Sequence, residues 1–470
     1  MAERPLRFER RMSDAEALMW TIEKDPALRS SFLQVTLLDR PPDFARFRRR
    51  MERAVKALPR LGQRVVPPPF RFAPPEWADD PCFDIDFHVR RLAVPPPGTE
   101  RQLLDLAALV YEDAFDRARP LWQLSVVEGL EGGRAALLVK MHHTITDGVG
   151  GVRLSMQFLD LSPDAPDPED VEEPARVPAR GAYDVLSDAV GHNVRRQLGV
   201  LQRAAAGTAG LVTRPDRAAR LVTDTIDTAG SLWRQLAVVQ PSRSPLWTGR
   251  RSLTRRFETL TTNLDEVKRA AKGLGGTVND LFVAGLAGGA AAYHRAKGTD
   301  VDELRVTMPV NIRDDKSAGG NAFSPARLLI PAGVEDPAER FEAVHERLGV
   351  AKKERALGLF GSLAGVMNSL PTSMLTHVAR QQAETVDFAA SNVRAADFDL
   401  YVAGALIEGN HPMGPTAGTA FNATVMSYKN RFDVGLNIDT AAIDDPELLR
   451  TCIEESFAEL LKAGTNQDSA

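Results

Sequence analysis

The stretch that most constrains this chain runs from Gly133 through Ala135-Ala136-Leu137-Leu138-Val139-Lys140-Met141 into His142-His143-Thr144-Ile145-Thr146-Asp147-Gly148. The apolar run Ala135 to Met141 reads as a strand. A strand needs partners for its backbone N–H and C=O groups, so a sheet is expected around it. The strand ends in two adjacent imidazoles. Neighbouring strand residues point to opposite faces, so one histidine can face a cleft while the other packs away from it. Asp147, Gly148 and Gly150 then turn the chain out again. Histidine titrates near neutrality and can accept and return a proton at working pH, which makes this pair the first candidate for chemistry.

A chain of 470 residues exceeds one ordinary core, and two domains are expected. The apolar share of 43% and charged share of 26% are those of a globular protein. A net charge of -5 offers no general attraction to nucleic acid or to an anionic membrane. Cys82 and Cys452 are too few and too far apart for a disulfide framework or a metal cluster, which points to a reducing compartment. Met1 to Arg7 lacks the apolar centre of a signal peptide, and no apolar run is long enough to span a bilayer. Any membrane contact is therefore expected to be peripheral.

Taken in order, Ser13-Asp14-Ala15-Glu16 has the pattern of a capping box opening a helix through Trp20 and Ile22. Leu33, Val35 and Leu37 alternate as in a strand, and Phe44, Phe47, Met51, Val55 and Leu58 share one face of a helix ending before Pro59. Pro67 to Pro75 reads as an extended loop, Phe83, Ile85 and Phe87 as an alternating strand, Leu103 to Phe115 as a helix, and Pro120-Leu121-Trp122 as the opening of a strand. After Asp160 the composition turns acidic and proline-rich to Pro178. Tyr183 to Gln240 is alanine- and arginine-rich, with Arg195, Arg196, Arg203, Arg214, Arg217 and Arg220; it suits either a lipid surface or helices bridging two domains. A second α/β half starts near Ser252. It has a strand at 254–264, a helix at 265–273, and a long small-residue helix led by Thr277-Val278-Asn279-Asp280. Strands follow at 304–311, 388–393, 401–407, 420–428 and 432–439, and a helix from Pro446 to Ala463 closes the chain. The division expected is residues 1–162, a connector at 163–251, and residues 252–470, with mixed α/β sheets and no dinucleotide-binding repeat.

His142-His143-x-x-x-Asp147-Gly148 resembles the signature of acyltransferases that use coenzyme A or carrier-protein thioesters, the chloramphenicol acetyltransferase-like superfamily. Further matches run in order along nearly the whole chain. They are Ala57-Leu58-Pro59-Arg60-Leu61, Phe83-Asp84-Ile85-Asp86-Phe87-His88-Val89, Pro120-Leu121-Trp122, Thr277-Val278-Asn279-Asp280, Met308-Pro309-Val310 and Ser391-Asn392-Val393. Together they resemble the bacterial wax ester synthase/diacylglycerol acyltransferase family. The resemblance implies two pseudo-symmetric lobes with a central tunnel, the His motif at its middle, and acyl-CoA as co-substrate with no resident cofactor or metal. It implies diacylglycerol or a long-chain alcohol as acceptor, and a cytoplasmic protein held peripherally at the inner membrane or lipid inclusions, with a homo-oligomer among its possible states. Three departures leave the acceptor and the strength of activity open: Gln123 after Pro-Leu-Trp, Arg394-Ala395-Ala396 after Ser391-Asn392-Val393, and Met12-Ser13-Asp14-Ala15-Glu16 at the first helix.

Within that resemblance, His143 is expected as general base and His142 as a packed or hydrogen-bonded brace. Asp147 can orient His143 or hold the loop by an ion pair, the role the family implies. Gly148 and Gly150 allow close approach of substrate. Asn279 is the expected oxyanion donor, with a helix-initiating role as its alternative, and Asp280 is expected to brace the helix start. Trp122 is expected to pack behind the His loop, and Ser391 and Asn392 belong to the substrate-binding set. No Gly-x-Ser-x-Gly elbow occurs, so direct transfer is favoured over an acyl-enzyme. Two other readings remain: transfer from a carrier protein to a polyketide or peptide, and a catalytically silent lipid- or acyl-CoA-binding protein.

Overall fold

The computed structural model describes residues 9–69, 73–145, 154–169, 242–249, 251–311, 323–353 and 371–467, with a short helical run at 183–191 and a few isolated residues between them. Asp147, Gly148 and Gly150, and the arginines from Arg195 to Arg220, lie outside the described residues.

Among the described residues, two mixed sheets form the frame. The first has seven strands: β1 (Ser31–Leu38), β4 (Val89–Ala93), β5 (Trp122–Glu128), β6 (Ala135–His142), β7 (Leu159–Asp160), β12 (Tyr401–Val402) and β13 (Ala405–Met413), in the order β4-β5-β6-β1-β13-β12-β7. The second orders six strands as β10-β9-β11-β14-β15-β8, namely β8 (Arg255–Asn263), β9 (Glu303–Asn311), β10 (Phe323–Pro331), β11 (Phe388–Arg394), β14 (Phe421–Tyr428) and β15 (Arg431–Asp439). A small hairpin, β2 (Gln63–Val66) with β3 (Glu76–Asp79), flanks the proline-rich loop read from sequence.

The elements form where local chemistry favours them. Ser13 and Glu16 close a reciprocal capping box on α1 (Asp14–Ile22). Asp43 caps α2 (Phe44–Ala57), whose Phe47 and Met51 are fully buried. Thr99 and Gln102 box the start of α4 (Glu100–Glu112), and Thr277 with Asp280 boxes α6 (Val278–Ala296). The segment read as an alternating strand at Phe83–Phe87 is instead one helical turn, α3 (Ile85–His88), because the Asp84 carboxylate accepts from the Asp86 N–H and closes the turn. Only from Val89 does the chain extend.

The stretch read as a single strand at 401–407 divides at Ala403-Gly404 into β12 and the longer β13. These two strands follow residue 252, the start expected for the second lobe, yet they are hydrogen-bonded into the first sheet. β13 runs antiparallel to β1 from Leu33↔Met413 to Leu38↔Ile407. Gly435 on β15 permits the crossing, since a Cβ there would lie 2.2 Å from the Pro412 carbonyl oxygen. The crossing strand joins the cores: Phe257 of β8 and Met413 pack with Leu33, Val35, Leu103 and Leu138.

Below the second sheet, α6 packs on the closing helix α9 (Pro446–Gln467) through its glycines. A Cβ on Gly289 would meet the Ile453 Cα at 2.4 Å, and one on Gly285 the Phe457 ring at 2.6 Å. The described part of the acidic, proline-rich stretch after Asp160, residues 161–169, is tied down rather than free. Arg46, Arg50 and Arg53 of α2 donate to the carbonyls of Pro163, Ala165, Pro166 and Glu169, and Arg50 pairs with Asp160 where both side chains are only 4% exposed.

Candidate active site

β6 brings the histidine pair to the end of the first sheet between β5 and β1, with Trp122↔Met141 and Ser31↔His142 in register. Alternation then separates the two rings. His142, the last strand residue, is 1% exposed. His143 begins the turn that follows and is only half-buried. Its backbone N–H donates to the Ser30 carbonyl at 3.0 Å, and its ring lies 4.9 Å from that of Phe32.

Both nitrogens of His142 are engaged. The Thr144 backbone N–H, which can only donate, points at Nδ1 from 3.1 Å, and the Thr144 hydroxyl lies 2.7 Å from the same atom. Nδ1 is therefore the acceptor, leaving Nε2–H to donate to the Glu23 carboxylate. A hydrogen bond to a charged acceptor contributes about 1.5–3 kcal/mol, more than a neutral one. Glu23 follows α1, and Trp20 of that helix meets the His142 ring edge-on. The Arg117 guanidinium lies 3.6 Å from the Trp20 ring centroid. Glu23 escaped the sequence reading because no local spacing links residues 23 and 142; only a coarse signal, an acid just past a capped helix, was available.

Behind the strand, Trp122 is fully buried, donates its indole N–H to Leu61 O at 2.8 Å, and stacks on His88 at 4.5 Å. His88 Nδ1–H donates to the Trp122 carbonyl at 2.7 Å, and burial pushes its pKa down to about 4, so it is a neutral packing group. Lys140, two residues before His142, is 1% exposed. Its ammonium donates to the Val110 and Asp113 carbonyls at the end of α4, 2.7 and 2.5 Å away. Burial lowers its pKa to about 8, with the Asp113 carboxylate opposing.

The remaining candidates sit in the second half. Asn279 is the second residue of α6 and half-buried, beside the outward-pointing amides of the first helical turn. Asp280 is 1% exposed, and its Oδ2 accepts from Thr277 N–H, the Thr277 hydroxyl and His345 Nδ1, all at 2.8 Å. Ser391 and Asn392 lie on β11, opposite Thr424 and Val425 of β14, with Ser391 half-buried and Asn392 exposed. His142, His143 and Trp122 are thus gathered on one sheet, and Asn279, Asp280, Ser391 and Asn392 on the elements of the other.

Residues 12–282 match the model of the wax ester synthase/diacylglycerol acyltransferase catalytic domain, and residues 319–461 match that of the C-terminal domain of the same proteins. A putative diacylglycerol O-acyltransferase of Mycobacterium tuberculosis is 34% identical, over 97% of this chain and 92% of its own length. A second from that organism is 29% identical over 97% of this chain and 98% of its own. Among solved structures, the wax ester synthase/diacylglycerol acyltransferase from Marinobacter aquaeolei VT8 superposes with a TM-score of 0.64 at 21% identity, covering 97% of this chain and 100% of that one. The first condensation domain of the calcium-dependent antibiotic synthetase gives 0.60 at 16%, covering 97% of each. The paired mixed sheets are therefore the two-lobed fold expected from the motifs, and the chain belongs to the wax ester synthase/diacylglycerol acyltransferase family.

Proposed function

We propose that this chain moves a fatty acyl group from its coenzyme A thioester to the hydroxyl of diacylglycerol or a long-chain alcohol, by direct transfer with His143 as general base. The observation that carries the reading is the division of labour between the paired imidazoles. One ring is buried with both nitrogens occupied, and the next stands half-open on the turn that follows. Family membership supplies the reaction class.

An alcohol is a weak nucleophile at neutral pH, so a base in hydrogen-bond reach matters more here than for a thiol. In the proposed step the His143 imidazole takes the hydroxyl proton as oxygen attacks the thioester carbonyl carbon. The tetrahedral adduct collapses, the C–S bond breaks, and the imidazolium returns the proton to the leaving thiolate. The oxyanion requires a donor, whose removal typically costs about 3 kcal/mol of transition-state stabilisation. Asn279 is proposed for that role on the strength of its half-open amide at a helix start. Asp147, Gly148 and Gly150 are proposed to hold the loop and admit the substrate, with Ser391 and Asn392 contributing to binding. The reaction as proposed uses no resident cofactor, acyl-CoA being a co-substrate.

The acceptors are lipids, so the proposed workplace is a membrane or inclusion surface approached from outside; no helix among the described residues is long and apolar enough to cross a membrane. The test is purified protein with long-chain acyl-CoA, offered diacylglycerol and a fatty alcohol separately, with free thiol and ester product both measured. His143→Ala is expected to abolish thiol release while leaving the unfolding midpoint close to that of the parent. Retained turnover would remove His143 from the base role.

A further inference from the structure

Helix α1 touches two parts of the molecule that are distant in sequence. At its C-terminal end Glu23 accepts from His142 Nε2–H. Along its side it packs against α8 (Thr372–Ala383), the helix that leads into β11 of the second sheet. Leu18, Met367 and fully buried Leu375 form a small separate core there, with Ile22 and Val378 against it. Polar contacts flank it: Asn368 donates to the Asp14 carbonyl at 2.7 Å, and Arg380 lies 3.4 Å from Asp25. Leu28 lies 3.4 Å from the point where a Cβ on Gly418 would sit, and that point is 2.6 Å from the Ala383 Cβ. The carboxylate that holds His142 is thus mounted on an element seated against the second half of the chain.

We infer that Glu23 is a positioning residue for His143, and that its hold on His142 depends on the seating of α1 against α8. The inference rests on the base role proposed for His143. With Glu23 in place, His142 presents Nδ1 to the Thr144 N–H and shapes the turn from which His143 projects. Without an acceptor at Nε2, the ring is free to exchange tautomers and to rotate. The Thr144 N–H then loses its partner, and the turn samples geometries in which the base misses its proton. Separation of α1 from α8 carries Glu23 away and has the same effect, so the base is ordered only while the two halves are in contact. Partners of this outer kind, holding a working group through an intermediate, typically change activity by about 10–100-fold.

The experiment uses the full chain with saturating alcohol acceptor and varied acyl-CoA, alongside unfolding midpoints. Glu23→Ala is expected to lower kcat by about 10–100-fold with KM for acyl-CoA unchanged within roughly twofold. Glu23→Gln keeps an acceptor oxygen and is expected to stay within roughly threefold of the parent. Leu375→Ala is expected to lower kcat in the parent but add nothing in the Glu23→Ala background. Should Leu375→Ala fail to fold, Arg380→Glu at the half-exposed rim sets a like charge against Asp25 and carries the same comparison. Unchanged kcat in Glu23→Ala, equal damage from Glu23→Gln, a loss confined to KM, or multiplying effects of positions 23 and 375 would each overturn the inference. An inactive His143→Ala beside an unaffected Glu23→Ala defeats this inference alone, whereas an active His143→Ala defeats the base role itself.

Discussion

Lys140 offers a sharp test of how the strand bearing the histidines is held. Its side chain is 1% exposed, and its pKa is pushed down to about 8 from the ordinary 10.5. In the unfolded chain the ammonium keeps its proton to about pH 10.4, whereas in the folded chain it gives it up near 8. Between those values the unfolded state binds more protons, so stability rises with pH. Below pH 8 the folded state carries the full cost of a buried charge. At about 1.4 kcal/mol per pKa unit, a displacement from 10.5 to about 8 corresponds to about 3 kcal/mol. The neutral amine still has two N–H bonds for the Val110 and Asp113 carbonyls, so deprotonation relieves the charge without orphaning either acceptor. Lys140→Met keeps the length of the stem and removes the titration. Denaturant unfolding of parent and variant from pH 7 to 10.5 is the assay, and the difference in unfolding free energy between them is the quantity to follow. That difference is expected to move in the parent's favour by about 3 kcal/mol across the range, mostly between pH 8 and 10. A difference flat with pH would refute the reasoning and show that Lys140 is not desolvated as its burial indicates.

Further outcomes follow from packing and charge. Gly289→Ala should gain about 1 kcal/mol of helix propensity and lose more than that to overlap with the Ile453 backbone, lowering the unfolding midpoint; a stabilised variant would show that α6 and α9 can move apart freely. Arg50→Met leaves Asp160 buried without its main partner and is expected to cost about 3–5 kcal/mol, while Arg50→Met with Asp160→Leu should recover much of the loss. Double-mutant denaturation curves check this, and equal losses in single and double variants would contradict it.

Much of the molecule could be read locally. Thr277 and Asp280 announce α6 through side-chain oxygens that satisfy its first amides, an interaction spanning four consecutive residues. Lys429 and Asn430 turn β14 into β15 in the short gap between the strands read at 420–428 and 432–439, with Lys429 at φ 51°. That His142 and His143 face different surroundings is expected from strand alternation, since neighbouring residues point to opposite faces. Short-range pattern failed at Phe83–Phe87, where apolar alternation suited a strand but one aspartate side chain closed a helical turn.

Other features had no local signal at all. Alternation marks 401–407 as a strand but says nothing of which sheet receives it, and where β13 passes β15 on its way along β1, Gly435 leaves room for the Pro412 backbone. The acidic stretch after Asp160 has the composition of a loose linker, yet arginines more than 100 residues earlier grip its carbonyls. Glu23 meets His142 across 119 residues. Periodicity, caps and the His-His alternation depend on neighbours within a few bonds, so the order of residues was enough to decide them. Which carboxylate holds the buried imidazole and which sheet takes the crossing strand depend on surfaces that exist only once both halves have packed, and those were decided by the tertiary structure.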